Sequence, residues 1–256
     1  TRRGEFLTFD DQSKQDFDRD GFVILRDYLN PEEATDVDAN VERFIQEILP
    51  GAPDTTAFYE DPNDPTSIMR LQNMLDHDPW FHDLFYSERI AGLARHLLGD
   101  EVVGKNLQWF NKPAGVGGPT PAHQDGFYFM LDPNIAITLW LALDHIDEGN
   151  GCVRYVRGTH LDGMRPHQRS NVIGFSQGIT DYGEADTARE EPIHAKPGDL
   201  FAHHSMTMHR ADPNPSTRRR AALGFVFFAA TAKEDADRAE AYRQTLYEQW
   251  EKEGRL

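Results

Sequence analysis

Residues 101–143 read EVVGKNLQWFNKPAGVGGPTPAHQDGFYFMLDPNIAITLWLAL, and this stretch decides the fold class. It contains three runs rich in β-branched and aromatic residues, at 102–110, 123–130 and 135–143. Turn-forming Pro, Gly, Asp and Asn residues separate them. Similar runs follow at 152–157, 192–196, 200–203 and 221–229. Several short strands between such turns predict a sandwich or barrel rather than alternating β-α units.

The regions on either side of this β-rich part are rich in helix-forming sequence. Asn30-Pro31-Glu32-Glu33 is typical of a helix start, with a capping Asn, Pro at the first helical position and acids in the first turn. A second helix is predicted over 79–98, and a charged one over 233–252. Residues 51–67 and 161–191 are predicted to be irregular loops. We expect one domain over 1–256, with a helical N-terminal region at about 10–100, a β core at about 101–230 and a C-terminal helix at about 233–252.

Composition and charge limit the possible partners. The chain has a formal net charge of -17, which argues against binding to nucleic acid or to anionic membranes. No apolar run reaches the length of a membrane span. Cys152 is the only cysteine, so no disulfide can form within the chain, and a cytoplasmic location is expected.

His123-Gln124-Asp125 is the candidate metal motif. On a strand, residues two apart point to the same face, so His123 and Asp125 could bind one ion. Two imidazoles and one carboxylate form the ligand set that holds Fe(II) and leaves open positions. A third ligand is needed, and composition alone does not choose among the downstream histidines, which include His145, His160, His194, His203, His204 and His209.

Several motifs together resemble the phytanoyl-CoA dioxygenase family of Fe(II)/2-oxoglutarate oxygenases. They occur in order over roughly residues 15–230: Asn111-Lys112-Pro113, then His123-Gln124-Asp125, 148–152 with 157–160, and 197–201 leading to His209 and Arg220. The resemblance implies a mainly β protein with flanking helices around a double-stranded β-helix, the jelly-roll or cupin-like core.

The same resemblance assigns the site. His123, Asp125 and His209 match the ligands of Fe(II), and Arg220 matches the arginine that binds the distal carboxylate of 2-oxoglutarate. A planar guanidinium suits a carboxylate. Arg218 and Arg219 are rivals on spacing alone. Strand alternation places Arg218 and Arg220 on one face and Arg219 on the other, which makes Arg219 the weakest candidate.

By the same resemblance, three further positions match residues that line the cosubstrate: Gln108, Trp140 and Arg70. Trp140 is equally explained as a core residue of a barrel strand, and Arg70 as a surface arginine. His204 matches a position that is often His in relatives but does not bind iron. His160, His203 and His204 are predicted to be structural histidines with satisfied hydrogen bonds.

The resemblance implies a dioxygenase that consumes 2-oxoglutarate and dioxygen, releases succinate and carbon dioxide, and hydroxylates a C–H bond of a small molecule. Asp125 favours hydroxylation over halogenation, because related halogenating enzymes have a small residue there. Two alternatives remain open: a metal-dependent cupin-type enzyme that does not use 2-oxoglutarate, and a non-catalytic binding domain. Arg154, Arg165 and His167 could form a positive patch for an acidic substrate, or they could be solvated surface charges.

Overall fold

A computed structural model describes residues 9–172 and 175–252. The strands are β1 (Phe22–Leu25), β2 (Ala57–Tyr59), β3 (Ile68–Leu71), β4 (Val102–Lys112), β5 (Thr120–His123), β6 (Leu131–Asp132), β7 (Ala136–Ala142), β8 (Val153–Val156), β9 (His167–Val172), β10 (Phe175–Ile179), β11 (Glu190–Pro192), β12 (Leu200–His204), β13 (His209–Ala211), β14 (Arg220–Ala229) and β15 (Lys233–Glu234). The α-helices are α1 (Asp11–Asp20), α2 (Pro31–Arg43), α3 (Met74–His77), α4 (Pro79–Phe85), α5 (Leu93–Leu98), α6 (Gly126–Phe129), α7 (Glu184–Thr187) and α8 (Ala236–Lys252).

Two antiparallel sheets contain most of the strands. The larger has seven strands in the order β1-β12-β7-β14-β4-β3-β2, and the smaller has four in the order β11-β8-β13-β5. Neighbours in space are seldom neighbours in sequence, as in a jelly roll, where the chain crosses repeatedly between the sheets. The predicted fold class, mainly β with flanking helices, is confirmed.

The outer face of the large sheet carries the main apolar core. All ten residues of β14 are buried, and alternate side chains point to opposite faces. Phe225 and Phe227 lie on the helix-covered face, where the ring of Phe227 stacks on that of Phe85 in α4 with centroids 4.4 Å apart. Burial against the N-terminal helices therefore holds this face of the sheet in place.

The inner face of the large sheet is built differently. Phe110 on β4 and Trp140 on β7 stack with centroids 5.0 Å apart, and Gly224 of β14 lies between their strands. A Cβ at Gly224 would lie 2.9 Å from the Phe110 ring. Glycine therefore lets the two rings meet across the middle strand.

The helix signals in the sequence are confirmed in detail at α2. The Asn30 side chain accepts hydrogen bonds from the backbone N–H groups of Glu32 and Glu33, and the Glu33 carboxylate accepts one from the backbone of Asn30. The helix predicted over 79–98 is interrupted, because α4 ends at Phe85 and a new start follows Ser87, whose hydroxyl caps the next turn.

Two predictions about the β-rich part were wrong. The run 123–130 does not continue as a strand: β5 ends at His123, and Asp125 has helical backbone angles at the start of α6. The N–H of Gly126 donates to the carbonyl of Ser205, which turns the chain at this point. The predicted loop 161–191 contains the β9–β10 hairpin and α7. Its sequence lacks the strong apolar alternation that identifies a half-buried strand.

Within the described ranges, no helix combines the length and the apolar character needed to span a bilayer.

Replacement of Phe227 by Ala tests the importance of the outer core. We expect Phe227→Ala to lower the free energy of unfolding by about 3–5 kcal/mol, because it removes a fully buried ring and leaves a cavity. Val103→Ala on β4 is the control, since Val103 is 49% exposed. Urea unfolding followed by circular dichroism measures both, and equal midpoints for the two variants would contradict this description of the core.

Candidate metal centre

Two strands of the small sheet bring the two predicted histidine ligands together. His123 ends β5 and His209 begins β13, and the two residues are register partners in the antiparallel pair. Asp125 follows two residues after His123, in the turn that starts α6. One ligand atom from each of these three residues lies within 4.8 Å of the other two. The structure thus brings the three predicted metal ligands together. Asp125 reaches the cluster through a helical turn, however, and not through the alternation of a strand.

Backbone carbonyls orient both imidazoles. Nδ1 of His123 lies 2.8 Å from the carbonyl of Pro121, and Nδ1 of His209 lies 3.0 Å from that of Thr207. Because a carbonyl can only accept, each Nδ1 carries the proton. Each Nε2 then presents its lone pair to the cluster, which is the usual arrangement for histidine that ligates a metal.

The two carboxylate oxygens of Asp125 contact different sets of neighbours. Its Oδ1 lies 3.4 Å from Nε2 of His123 and 3.7 Å from Nε2 of His209. Its Oδ2 accepts hydrogen bonds of 3.0 Å from the Thr138 hydroxyl and from Nε2 of His203. One oxygen therefore faces the two imidazoles, and the other is held by the large sheet.

The protonation states also suit a cation. Burial would raise the pKa of Asp125, but the polar side chains around it, His123 and His203 foremost, outweigh burial and hold this pKa well below its ordinary value. Burial, followed by repulsion from His123 and His203, lowers the pKa of His209 well below its ordinary value. An ionised carboxylate and neutral imidazoles are the forms that bind metal.

Arg220 provides a second charged feature on the inner face. It is 3% exposed, and its Nε and Nη1 atoms have no hydrogen-bond partner among the residues described. Its guanidinium lies 5.3 Å from the centre of the Trp140 ring. Burial lowers the pKa of Arg220 to about 10, so the group stays charged at neutral pH. A buried cation without an anion is costly, and a ligand carboxylate would satisfy it.

Lys112 lies beside Arg220 as a second basic group. The two residues are register partners on β4 and β14, and Lys112 is itself buried. Its ammonium donates to the carbonyl of Gly118. Burial, and then the charge of Arg220, lower the pKa of Lys112 to about 7.

The three residues predicted to line the cosubstrate share the face of Arg220. Gln108 and Trp140 are both register partners of Gly224, from the strands on either side of β14. Arg70 is the partner of Phe110 on β3, with its guanidinium 4.4 Å from the centre of the Phe58 ring. Directly opposed residues of antiparallel strands lie on one face, so these three side chains start from the same side of the sheet.

The rival arginines are engaged elsewhere. β14 begins at Arg220, so strand alternation does not reach Arg218, whose exposed guanidinium pairs with Asp147 at 2.8 Å. Arg219 pairs with Asp38 of α2 and with Asp144. Both groups are neutralised by carboxylates, in contrast to Arg220.

The other histidines lie outside the ligand cluster. His145 and His194 are exposed. His204 accepts a hydrogen bond from the N–H of Met206, and His160 lies 3.0 Å from the carbonyl of Asp18. His203 lies beside the triad without being part of it, and its contact with Asp125 was not foreseen from the sequence.

The proposed positive patch is already neutralised at its two arginines. Arg154 forms ion pairs with Glu148 and Asp212, and Arg165 with Asp181 and Asp186. The sequence contained no signal for this, because the partners come from separate elements.

Gln124 lies between two of the triad residues and forms hydrogen bonds with residues 165 and 167, which are distant in sequence. Its backbone N–H donates to Nε2 of His167, and its side-chain oxygen accepts from the N–H of Arg165. The His167 ring stacks on Phe127 with centroids 4.4 Å apart. His167 is thus a structural partner of the metal motif.

Comparison with known proteins identifies the family. The family model for phytanoyl-CoA dioxygenase (PhyH) matches residues 17–222. The chain belongs to the phytanoyl-CoA dioxygenase family. It is 26% identical to the peroxisomal phytanoyl-CoA dioxygenase of Mus musculus over 231 residues, which cover 84% of this chain and 67% of that protein. It is 27% identical to a probable alpha-ketoglutarate-dependent hypophosphite dioxygenase of Stutzerimonas stutzeri, covering 88% of this chain and 80% of that one.

Solved structures confirm the jelly-roll fold of this PhyH-family protein. The crystal structure of EctD from S. alaskensis with 2-oxoglutarate and 5-hydroxyectoine matches with a TM-score of 0.71, at 20% identity over 89% of this chain and 78% of that one. By family, the protein is a non-haem iron and 2-oxoglutarate-dependent dioxygenase. The donor set fits iron, because two oriented imidazoles and one ionised carboxylate lie within reach of one ion.

Loss of a triad residue should abolish metal binding. We expect His123→Ala and Asp125→Ala to lose Fe(II) and all turnover, because two remaining ligands hold the ion weakly. His204→Ala should keep both, since the His204 side chain has its own partner away from the triad. Anaerobic calorimetry with Fe(II) measures binding, and equal loss in all three variants would show that the triad assignment is wrong.

Proposed function

We propose that this PhyH-family dioxygenase hydroxylates an unactivated C–H bond of a small molecule, with release of succinate and carbon dioxide. One observation carries the proposal. A His-Asp-His ligand set and a buried guanidinium without an anion lie on the inner side of one barrel. A 2-oxo diacid can satisfy both, with its oxo acid end on the metal and its distal carboxylate on Arg220.

Each residue then has a distinct role. His123, Asp125 and His209 would hold Fe(II), which together with 2-oxoglutarate and dioxygen supplies the oxidising power for the reaction. Arg220 binds and orients the distal carboxylate, and Trp140 packs beside its guanidinium. Gln108 and Arg70 line the cosubstrate. Asp125 occupies the position at which a small residue would admit a halide, so we propose hydroxylation rather than halogenation.

Tyr128 is proposed as a wall of the substrate pocket. Its ring centroid lies 6.0 Å from that of His123. Its hydroxyl is already used, because it donates to the carbonyl of Gln177 and accepts from the N–H of the same residue. Tyr128 therefore offers its ring surface rather than a polar group. With Arg154 and Arg165 paired to carboxylates, we propose a substrate recognised through aromatic contact rather than through a cluster of cations.

The two rival functions differ in what they require of Arg220. A cupin-type enzyme that needs no cosubstrate has no use for a buried guanidinium near its metal. A non-catalytic binding domain does not need to keep three metal ligands and this arginine together. Succinate formation above background with any candidate substrate would exclude both rivals.

Anaerobic addition of 2-oxoglutarate to the Fe(II) protein tests the proposal directly. A weak visible charge-transfer band should appear, because the oxo acid binds the metal through two atoms. We expect Arg220→Met to raise the dissociation constant for 2-oxoglutarate by about 10- to 100-fold, since a hydrogen bond to a charged group contributes about 1.5–3 kcal/mol.

Arg218→Met is the matched control, because it removes a nearby guanidinium that is exposed and paired with Asp147. It should bind 2-oxoglutarate like the unaltered protein. Absence of the band in the unaltered protein with Fe(II) bound would rule out the use of 2-oxoglutarate, and equal weakening in the two variants would rule out the role of Arg220.

A further inference from the structure

Two adjacent strands of the large sheet present hydrogen-bond donors to one oxygen of Asp125. His203 on β12 and Thr138 on β7 are register partners, so their side chains leave the sheet side by side on its inner face. Both donate to Oδ2 of Asp125 at 3.0 Å. Oδ1 faces the two imidazoles of the triad instead.

A third residue, Tyr155, determines which ring nitrogen of His203 carries the proton. The Tyr155 hydroxyl lies 2.8 Å from Nδ1 of His203. An ionised carboxylate can only accept, so Nε2 of His203 must carry a proton towards Asp125. In the neutral ring Nδ1 is then the acceptor, and the Tyr155 hydroxyl donates to it. Tyr155 thus selects the form of His203 that can donate to Asp125.

This chain of contacts is sealed from solvent. His203 is 1% exposed, and Tyr155 and Thr138 are also buried. The Tyr155 ring packs against His203 at 5.0 Å and stacks on Phe22 at 4.9 Å between ring centroids. Water cannot easily replace the missing donor if His203 is removed, so Asp125 depends on these neighbours for its orientation.

We infer that His203, held by Tyr155, is a positioning residue that keeps Asp125 a one-oxygen ligand of the metal. With Oδ2 occupied by two donors, only Oδ1 is available beside His123 and His209. A carboxylate that rotated to bind through both oxygens would take a coordination position that the cosubstrate or dioxygen needs. The inference rests on the proposed function for the identity of the metal site, and it adds a role for residues outside the triad.

Metal binding by the apo protein tests the inference without any turnover. Co(II) is the probe, because its visible absorption reports coordination number and it is stable in air. We expect His203→Leu to weaken Co(II) binding by about 10- to 100-fold, as loss of a group that orients a metal ligand typically does. Its visible spectrum should also shift, because the released Oδ2 can reach the ion.

Conservative variants separate positioning from packing. His203→Gln keeps an N–H donor and should restore most of the affinity and the unaltered spectrum. Tyr155→Phe should weaken binding in the same direction but less, and the double variant Tyr155→Phe/His203→Leu should be no weaker than His203→Leu alone, because both residues act through one contact.

His204→Gln is the matched control, since it alters the neighbouring histidine of β12, which bonds to Met206 instead. It should leave the affinity and the spectrum unchanged. An unaltered affinity and spectrum in His203→Leu, or equal weakening in His203→Leu and His204→Gln, would overturn the inference. If His203→Leu does not fold, the comparison between Tyr155→Phe and His204→Gln decides: a shift in the former alone supports the inference, and no difference overturns it.

The outcome is separable from the proposed function, because no experiment in this set contains 2-oxoglutarate. A protein that binds Co(II) normally but gives no charge-transfer band with Fe(II) and 2-oxoglutarate would contradict the proposed function alone. A normal band together with an unaltered His203→Leu variant would contradict only the role of His203.

Discussion

The half-buried negative charge of Asp125 is the constraint on which the rest of the site depends. A carboxylate removed from water is costly unless hydrogen bonds or opposite charges compensate it. Here Thr138 and His203 of the large sheet donate hydrogen bonds to Oδ2, while Oδ1 faces His123 and His209 of the small sheet. The relative placement of the two sheets therefore determines whether this carboxylate is satisfied, and a cation between the three ligands would complete its neutralisation.

Arg220 is the complementary feature at the other end of the same inner face. It is a buried cation with no carboxylate partner in the described part of the chain, and its neighbour Lys112 is another basic group. Such an arrangement costs stability in the absence of an anion. The outer face of β14 is apolar instead, with Phe225 and Phe227 packed against helices. The fold gains its stability outside the barrel and keeps unsatisfied charge inside, where a ligand can bind.

The sequence predicted the elements better than it predicted their contacts. The Asn30 cap and most core strands follow from local residue patterns, which act over a few positions. His203 and His204 are neighbours of the same type, yet strand alternation sends them to different faces, and only the pairing of β12 with β7 shows which one meets Asp125. His123 and Asp125 were expected to face one ion because they lie two apart on a strand. In the structure the strand ends at His123, where the N–H of Gly126 donates to the carbonyl of Ser205. Long-range pairing of this kind leaves no trace in local sequence.

The strand ladder also relates the positions of the two charged features of the site. The guanidinium of Arg220 lies 5.3 Å from the centre of the Trp140 ring, and Trp140 pairs with Gly224, four residues further along β14. Trp140 is two residues, or about 7 Å, along β7 from Thr138, which touches Asp125. A 2-oxo acid without a distal carboxylate would leave the buried charge of Arg220 unsatisfied. The buried charge of Arg220 thus favours a 2-oxo diacid, which is the physical reason for proposing 2-oxoglutarate rather than 2-oxo acids in general.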